Sequence, residues 1–512
     1  MQRNRLLIAF AMLVVIAAVT IIRSDARAAA QQAGASTAAA SLPEVVPISP
    51  PVPGQTNIDV FSWKTFIALM RPAALDGNGR PVRDNAWPNG KPDLSKPMDA
   101  RGPRVWEGMK ADHELFRHGG KAPVAWDQYD DDLPCSAGEI GEKSGEKILT
   151  LLSEGTSMQQ GVNQAMAGPL IDRFGSYVHY EVRHNKPYYD TVKDNKYYLR
   201  SELNKHRWPK KMIELPISDP GNNKYGSLEI KAAWRVLDPS EDEAAANRYY
   251  WTWARIPNPV TGECGPKVRV AMVGLHIIQK VQHFNQWLWA TFEHVDNVPC
   301  NYTDPANCPP PPARYSFNDK GNTALDDIAK ANRGYAPRNW STAGLTMAKW
   351  RPLDPKRPDP NNPATPLPRE PIAVADRIHA IRMLPVEQSA DDRNREFHAM
   401  EGIRGTWLEN YILIDTQWPV AIDSATKPPD LSKAPTDSEY VAGAGNPEPG
   451  PNFRDNKPVA NITMETFYQQ PNPSLKNLGA SCMQCHYSAA QTDFSYTLTN
   501  RAWPPTLATK PH

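Results

Sequence analysis

A Cys-Met-Gln-Cys-His motif stands almost at the end of this chain, at residues 482–486. Two thiols at this spacing can add across the two vinyl groups of a porphyrin, and the adjoining histidine then reaches the iron, as in c-type haem. Residues 487–512 contain no methionine, and their only histidine is the terminal His512. The other face of a haem bound here must therefore be covered by the large upstream part of the chain.

Two other interpretations of this motif are weaker. A zinc knuckle needs a second pair of ligands, and the chain has no other Cys-x-x-Cys. A thioredoxin-like redox pair lies between a strand and a helix of a βαβ unit, which this region does not resemble. The sequence therefore predicts one haem c, bound covalently through Cys482 and Cys485, with His486 as the proximal iron ligand.

The N-terminus indicates export. Arg3 and Arg5 precede an apolar run at residues 6–22, and an Ala-rich stretch follows at residues 26–30. This order is typical of a secretory signal peptide. The run is long enough that an uncleaved anchor in the cytoplasmic membrane stays open as an alternative. Either way, we expect the folded part to be periplasmic or secreted.

The composition of the chain limits which folds and which classes of binding partner are expected. The chain has 57 basic and 56 acidic residues, so it lacks the strong positive charge typical of nucleic-acid-binding proteins. Its 51 prolines disfavour a helical bundle, because proline interrupts helices. We expect a signal peptide or anchor at 1–30, a flexible leader at 31–56, an α+β body at 57–300, Pro-rich loops with a short helix at 301–375, and a haem-carrying part at 376–512.

Hydrophobic periodicity predicts the α+β class: a mainly antiparallel sheet core, peripheral helices, long Pro-rich loops and a haem on a short C-terminal helix. The predicted helices are Val60–Leu69, Glu142–Gln160, Thr323–Asn332 and Glu396–Leu408. The predicted strands are Leu228–Leu237, Tyr249–Ile256, Lys267–Val281, Trp287–Phe292 and Tyr411–Ile414.

Four further cysteines remain outside the motif. In an oxidising compartment they suggest two disulfides. Cys300 and Cys308 flank a short Pro-containing loop and are the first choice for a pair, which leaves Cys135 with Cys264. Free buried thiols are the alternative.

The sixth iron ligand, where one exists, must come from upstream. His276 lies in an apolar strand, where a buried imidazole needs a partner. His294 has acidic neighbours, and Met464 is near the motif in sequence. His398 and Met400 are further options, and an open iron is the alternative to all of them. Trp287 and Trp289 share one strand face and form either a haem wall or ordinary core.

Seven segments of the chain together form a recognisable pattern: residues 62–69, 274–277, 287–297, 407–411, 416–419, 463–467 and 481–486. They resemble large exported bacterial proteins that carry a single C-terminal c-type haem motif, a cytochrome c-like family. The resemblance spans about residues 60–500 and implies a secreted haem c protein, with Cys482, Cys485 and His486 as the residues carried over. Residues 70–72 read Met-Arg-Pro where the family pattern has Asn-Trp-Pro.

Three functions fit these features. The first is an electron-transfer protein that serves a redox partner protein outside the cytoplasm. The second is a haem oxidoreductase acting on a small-molecule substrate, with His294 or Glu293 as an acid–base group beside an open iron. The third is a haem-based sensor. Nucleic acid is not expected as a partner, and membrane contact is expected only through residues 6–22.

Overall fold

The structure is a computed structural model, and it divides the chain into two compact units, Met1–Leu42 and Pro43–His512. All elements given below belong to the second unit. The described residues are 41–51, 53–130, 147–149, 170, 172–173, 178–206, 213–238, 241, 243–255, 267–284, 287–318, 380–418, 421–422, 429–430, 459–466, 482, 486, 489 and 492–504.

An eight-stranded, mainly antiparallel sheet forms the centre of the unit, which confirms the predicted α+β class. Its longest strand pairs with one neighbour along one edge and with two along the other. Among the described strands, the single parallel pair joins residues 147–148 to residues 254–255. A separate small sheet pairs residues 421–422 with residues 429–430. The strands are β1 (Lys110–Ala111), β2 (Lys147–Ile148), β3 (Val178–His184), β4 (Leu228–Val236), β5 (Trp251–Arg255), β6 (Lys267–Gln279), β7 (Leu288–His294), β8 (Tyr411–Gln417), β9 (Ala421–Ile422) and β10 (Pro429–Asp430).

The helices are peripheral to this sheet and mostly short. They are α1 (Gln55–Met70), α2 (Asp112–Leu115), α3 (Lys186–Asp194), α4 (Arg200–Leu203), α5 (Glu243–Ala246), α6 (Gln388–His398) and α7 (Tyr496–Arg501). Single 3₁₀ turns occur at Val105–Gly108, His118–Gly120, Pro220–Asn222, Pro305–Asn307 and Trp407–Asn410. Helix α1 packs against α6 and β8 and is buried on most of its sides, so its apolar residues are not confined to one stripe.

Two predicted helices are wrong in part. Within Glu142–Gln160, residues 147–148 form the short strand β2, because they pair with β5. Residue 149 is also described, and the other residues of this predicted helix lie outside the described part of the chain. The predicted helix Glu396–Leu408 stops at His398, and Gly402 and Gly405 adopt positive φ of 83° and 76° in the turn that follows. Glycine takes that conformation without steric cost. The predicted helix Thr323–Asn332 lies outside the described residues.

Cys300 and Cys308 form the predicted disulfide, with their Cα atoms 5.8 Å apart. Cys135 and Cys264 lie outside the described residues, so their pairing stays a prediction. Within the described ranges, no helix has both the length and the apolar character needed to cross a bilayer. The apolar run at residues 6–22 is not among those ranges.

The two faces of the sheet are covered by different parts of the chain. Side chains alternate along β7, so Phe292 points to one face and contacts Phe66 of α1, with ring centroids 4.3 Å apart. Thr291 and Glu293 point to the other face and bind residues 461–462. We call the first the helix face and the second the tail face, because C-terminal residues 459–466, 482, 486 and 492–504 lie on it.

Candidate functional site

Residues 459–466 are held on the tail face by buried hydrogen bonds to β7. The Asn461 amide donates to Thr291 Oγ1 at 2.8 Å and to the Phe292 carbonyl at 2.9 Å. The backbone N–H of Ile462 donates to Glu293 Oε1 at 2.7 Å. Hydrogen bonds to a charged acceptor are among the stronger ones in proteins. The segment is therefore fixed on the strand that also carries Trp289.

Close packing at Gly274 brings the same segment down onto β6. A Cβ atom at this position would lie 2.1 Å from Thr463 Oγ1 and 3.1 Å from Asn461 Oδ1. No side chain larger than hydrogen fits without moving that segment. Glycine is needed at this position because a Cβ atom has no room there, and not because of its backbone angles.

Residues 492–504 are fixed by a second set of bonds. Asp493 Oδ2 forms a buried ion pair with Lys280 and also accepts the Leu215 N–H at 2.7 Å. The Trp287 indole donates to the Asp493 carbonyl at 2.7 Å. Helix α7 begins after Ser495, whose hydroxyl accepts the N–H of Leu498. Together these bonds hold the chain that follows the Cys-x-x-Cys-His motif.

His486 is fixed in one tautomer by this arrangement. Its Nδ1 lies 2.7 Å from the carbonyl oxygen of Phe494, and a carbonyl can only accept, so Nδ1 carries the proton. The lone pair of the neutral ring is then on Nε2. Metal-binding histidines usually have this second-shell bond, which orients the ring and leaves one nitrogen for the metal. The ring lies between Trp289 and Tyr496, with centroid distances of 4.2 and 4.8 Å.

The environment of His486 also keeps it neutral. Burial lowers its pKa to about 4, the hydrogen bond to the Phe494 carbonyl opposes that shift, and the charges of Lys231 and His276 lower it further. A neutral imidazole at physiological pH is the form that binds a metal. Lys231 and His276 are paired on neighbouring strands, β4 and β6.

Cys482 packs beside the same residues. It contacts the buried cluster that contains Ile278, Trp289 and Phe494. Cys485 is not among the described residues, and its role stays a prediction.

His276 points to the tail face with one ring nitrogen unused. Its side chain is only 6 % exposed, and Nε2 has no hydrogen-bond partner among the described residues. The nearest charged atom is Glu465 Oε2 at 3.5 Å, a contact too long for a good hydrogen bond. Of the upstream candidates for a sixth ligand, His276 therefore has the most suitable ring.

The other candidate histidines are already fully engaged or lie on the helix face. His294 Nε2 donates to the Arg248 carbonyl at 3.0 Å, and its Nδ1 accepts the Asp296 N–H at 3.1 Å. His398 Nε2 donates to the Tyr411 carbonyl at 2.7 Å. Both histidines have the geometry of structural residues.

Glu293 is likewise engaged, since it pairs with Arg382 and accepts the Ile462 N–H. It is an anchor for the C-terminal segment and has no free carboxylate oxygen for acid–base work. Met464 is fully buried in that segment, and Met400 lies in the turn after α6. Trp289 is the haem-wall candidate that the structure brings to the motif, through its contact with the His486 ring.

The residues present fit a haem, judged by two of the buried polar atoms that have no hydrogen-bond partner among the described residues. In the described part of the chain, His276 Nε2 and Trp289 Nε1 both lack a hydrogen-bond partner. Native proteins rarely leave such atoms unsatisfied. Both belong to side chains on the tail face, near His486, whose own Nε2 lone pair is available. A cofactor with an iron and polar substituents would satisfy these atoms.

Two charged residues of the site could not be recognised from the sequence. Lys231 of β4 lies directly opposite His276 in the sheet register, and Glu465 contacts His276. Charged and apolar residues alternate in β4, which usually indicates a face open to water. Only the tertiary structure shows that the C-terminal segment covers this face.

Comparison of the chain with protein-family models, with curated proteins and with solved structures finds no match. The functional assignment accordingly rests on the residues of this chain.

Proposed function

We propose that this protein is an exported mono-haem c-type cytochrome, with thioether bonds at Cys482 and Cys485 and with His486 as the proximal ligand. The observation that carries the proposal is the bond from His486 Nδ1 to the Phe494 carbonyl, which leaves Nε2 for iron. A haem held there would supply a one-electron couple. The protein would pass single electrons between partners outside the cytoplasm.

Several residues of the chain would support this role. The Phe494 carbonyl orients the imidazole, and the rings of Trp289 and Tyr496 pack against it. The buried Lys280–Asp493 pair holds residues 492–504, so the His486 ring has little freedom to turn. A rigid site reduces structural change on electron transfer. His276 is our candidate for the sixth ligand, because its Nε2 makes no hydrogen bond within the described residues and only a 3.5 Å contact to Glu465.

A haem oxidoreductase acting on a small molecule is the second candidate. Lys231 and Glu465 favour it, because ionisable groups beside His276 could move protons to or from a substrate at an open iron. The two functions differ in the native spectrum. A low-spin iron that does not bind carbon monoxide supports the carrier, whereas a high-spin iron that binds cyanide readily supports the enzyme.

The test is covalent haem in the full chain, produced in a bacterium that carries the c-type maturation system. Wild-type protein should retain haem after denaturation and acid–acetone extraction, and the Cys482→Ala/Cys485→Ala variant should lose all of it. His486→Ala should keep thioether-bound haem in a misligated, unstable form. Covalent haem in the double cysteine variant would refute the proposal.

A further inference from the structure

Three parts of the chain meet around Trp503, near the end of the described residues. The Trp503 N–H donates to the Tyr198 carbonyl at 2.8 Å, and the Arg200 N–H donates to the Trp503 carbonyl at 2.7 Å. The His118 ring contacts the indole of Trp503, with ring centroids 4.8 Å apart. These contacts join residues 117–121, 186–206 and 492–504 into one surface, which we call the Trp503 surface.

This surface lies beside the Cys-x-x-Cys-His motif. Tyr496, at the start of α7, packs against the His486 ring with centroids 4.8 Å apart, and Trp503 follows the end of the same helix. Helix α7 has six residues and is therefore only about 9 Å long. Cys482 packs against the buried cluster that contains Tyr198. One short helix thus connects the histidine of the motif to the Trp503 surface.

The Trp503 surface is positively charged, although the whole chain is nearly neutral. Its three segments contain eight basic residues against four acidic ones, which gives a net charge of +4, whereas the chain has 57 basic and 56 acidic residues. Lys121, Lys193 and Lys196 have exposed side chains. Basic charge is therefore concentrated at this part of the molecule.

Ion pairs neutralise most of the other charges at this surface. Asp194 is the acidic residue of the three segments that forms none of these pairs, and its side chain is exposed. One carboxylate is thus set against the three exposed lysines in the described residues of the segments. The ion pairs, with partners from within or beside the surface, are Lys186–Asp190, Lys205–Glu202, Arg117–Asp130, Arg501–Asp112 and Lys280–Asp493.

We propose, on the basis of the proposed function, that electrons enter and leave the haem at the Trp503 surface, and that the partners bound there are proteins with an acidic face. Opposite charges on two proteins raise their rate of encounter and fix their relative orientation. Electron-transfer complexes are small and transient, so a surface of this size is sufficient. The indole of Trp503 is partly exposed among the cations, and tryptophan and arginine are enriched at protein interfaces.

The first experiment mixes the reduced full-length holoprotein with two small oxidants of opposite charge in a stopped-flow instrument. Oxidation by the anion hexacyanoferrate(III) should slow as salt is added, because salt screens the attraction. Lys193→Glu/Lys196→Glu should slow this reaction about tenfold at low ionic strength and should speed oxidation by the cation tris(phenanthroline)cobalt(III). Lys193→Arg/Lys196→Arg should leave both rates unchanged, because the charge is kept.

The matched control compares two single variants with the same change in net charge. Lys64→Glu replaces an exposed lysine of α1 on the helix face and should have little effect, whereas Lys196→Glu should slow oxidation by hexacyanoferrate(III) about threefold. Equal effects of the two variants would overturn the inference, because net charge alone would then explain them. Unchanged rates in Lys193→Glu/Lys196→Glu would also overturn it.

The second experiment uses a blue-copper protein of net negative charge as the electron acceptor. The rate should saturate with acceptor concentration, and Lys193→Glu/Lys196→Glu should raise the half-saturating concentration about tenfold. An unchanged half-saturating concentration would overturn the inference, because acidic partners would then bind elsewhere. Visible spectra and melting temperatures check that ligation and fold are intact in every variant. These results overturn the inference alone, whereas wild-type protein without covalent haem would overturn the proposed function and this inference with it.

Discussion

The helix face and the tail face belong to the same strands of the central sheet, but they differ in how buried polar atoms are hydrogen-bonded. On the helix face, aromatic rings stack, as in Trp63 with Phe397 at 5.2 Å, and the polar atoms beside this stack find partners. The Asn394 amide, for example, accepts from the Trp63 indole and exchanges two bonds with the backbone of Leu413. On the tail face, His276 and Trp289 each keep a ring nitrogen with no hydrogen-bond partner in the described chain.

This difference separates a structural core from a site. A core gains stability when each buried polar atom is satisfied, because an unsatisfied one costs about 1–3 kcal/mol. On β6 and β7, the buried atoms without a hydrogen-bond partner in the described chain are His276 Nε2 and Trp289 Nε1, and both lie on the face that carries Cys482 and His486. This placement points to a group that binds there. Experiments can therefore test each face by its own readout: stability for the helix face, and haem ligation for the tail face.

The largest effect is expected on the helix face. Phe66→Ala removes a ring that is fully buried and stacked on Phe292, and should cost about 3–5 kcal/mol in the free energy of unfolding. Guanidinium unfolding of the apoprotein measures it. The visible spectrum of the folded holoprotein should not change. An altered spectrum would show that the two faces do not act independently.

The helix face should also lose stability in acid through His294. Burial lowers the pKa of this histidine to about 4, against the charge of Asp296, whereas an unfolded histidine has a pKa near 6.5. Between about pH 6.5 and 4 the unfolded state binds a proton that the native state does not, so stability falls as pH falls. The loss approaches about 3 kcal/mol by pH 4.

The measurement is the free energy of unfolding of the apoprotein across this pH range, for wild type and His294→Gln. The variant should be less stable at pH 7 but lose less stability on acidification. Since burial also lowers the pKa of His179 and His486 to about 4, some loss should remain in the variant. Identical pH profiles would mean that His294 can be protonated in the native state.

On the tail face, Gly274→Ala should displace residues 459–466. The added methyl group would lie 2.1 Å from Thr463 Oγ1, and overpacking of this kind costs about 1–3 kcal/mol. We expect reduced stability together with a changed haem spectrum, because Glu465 moves with the segment. Gly77→Ala is the matched control, since no atom lies within 4 Å of its added Cβ. A normal spectrum in Gly274→Ala would show that the segment does not shape the site.

The strands of the sheet could be predicted from sequence because their apolar residues alternate over long runs, as in Leu228–Val236 and Lys267–Gln279. Short elements could not. Lys147–Ile148 is a strand only because β5 is available to pair with it, and nothing local indicates that. The helix after residue 396 ended early because Gly402 and Gly405 form a turn there.

For the site, the sequence predicted the motif and the unused ring of His276, since both depend on local residue types. The roles of Lys231 and Glu465 depend on which segment covers the tail face, which is a tertiary property. His294 looked equally suitable in sequence, but its carbonyl and N–H partners come from the backbone at Arg248 and Asp296. Every residue has these backbone groups, so the amino-acid sequence does not indicate which of them will bind His294.

The smallest expected change in stability comes from replacing two histidines, one on each face of the sheet. This pair also tests the comparison of the two faces most directly. His276→Ala and His398→Ala remove the same ring from opposite faces. His398 donates to the Tyr411 carbonyl, so its loss should cost about 1 kcal/mol more than the loss of His276, whose Nε2 has no hydrogen bond within the described residues. Only His276→Ala should convert a low-spin spectrum to high spin and open the iron to carbon monoxide, measured by absorption and paramagnetic resonance. An unchanged spectrum would exclude His276 as a ligand and leave Met464, buried in the same covering segment, as the next side chain to replace.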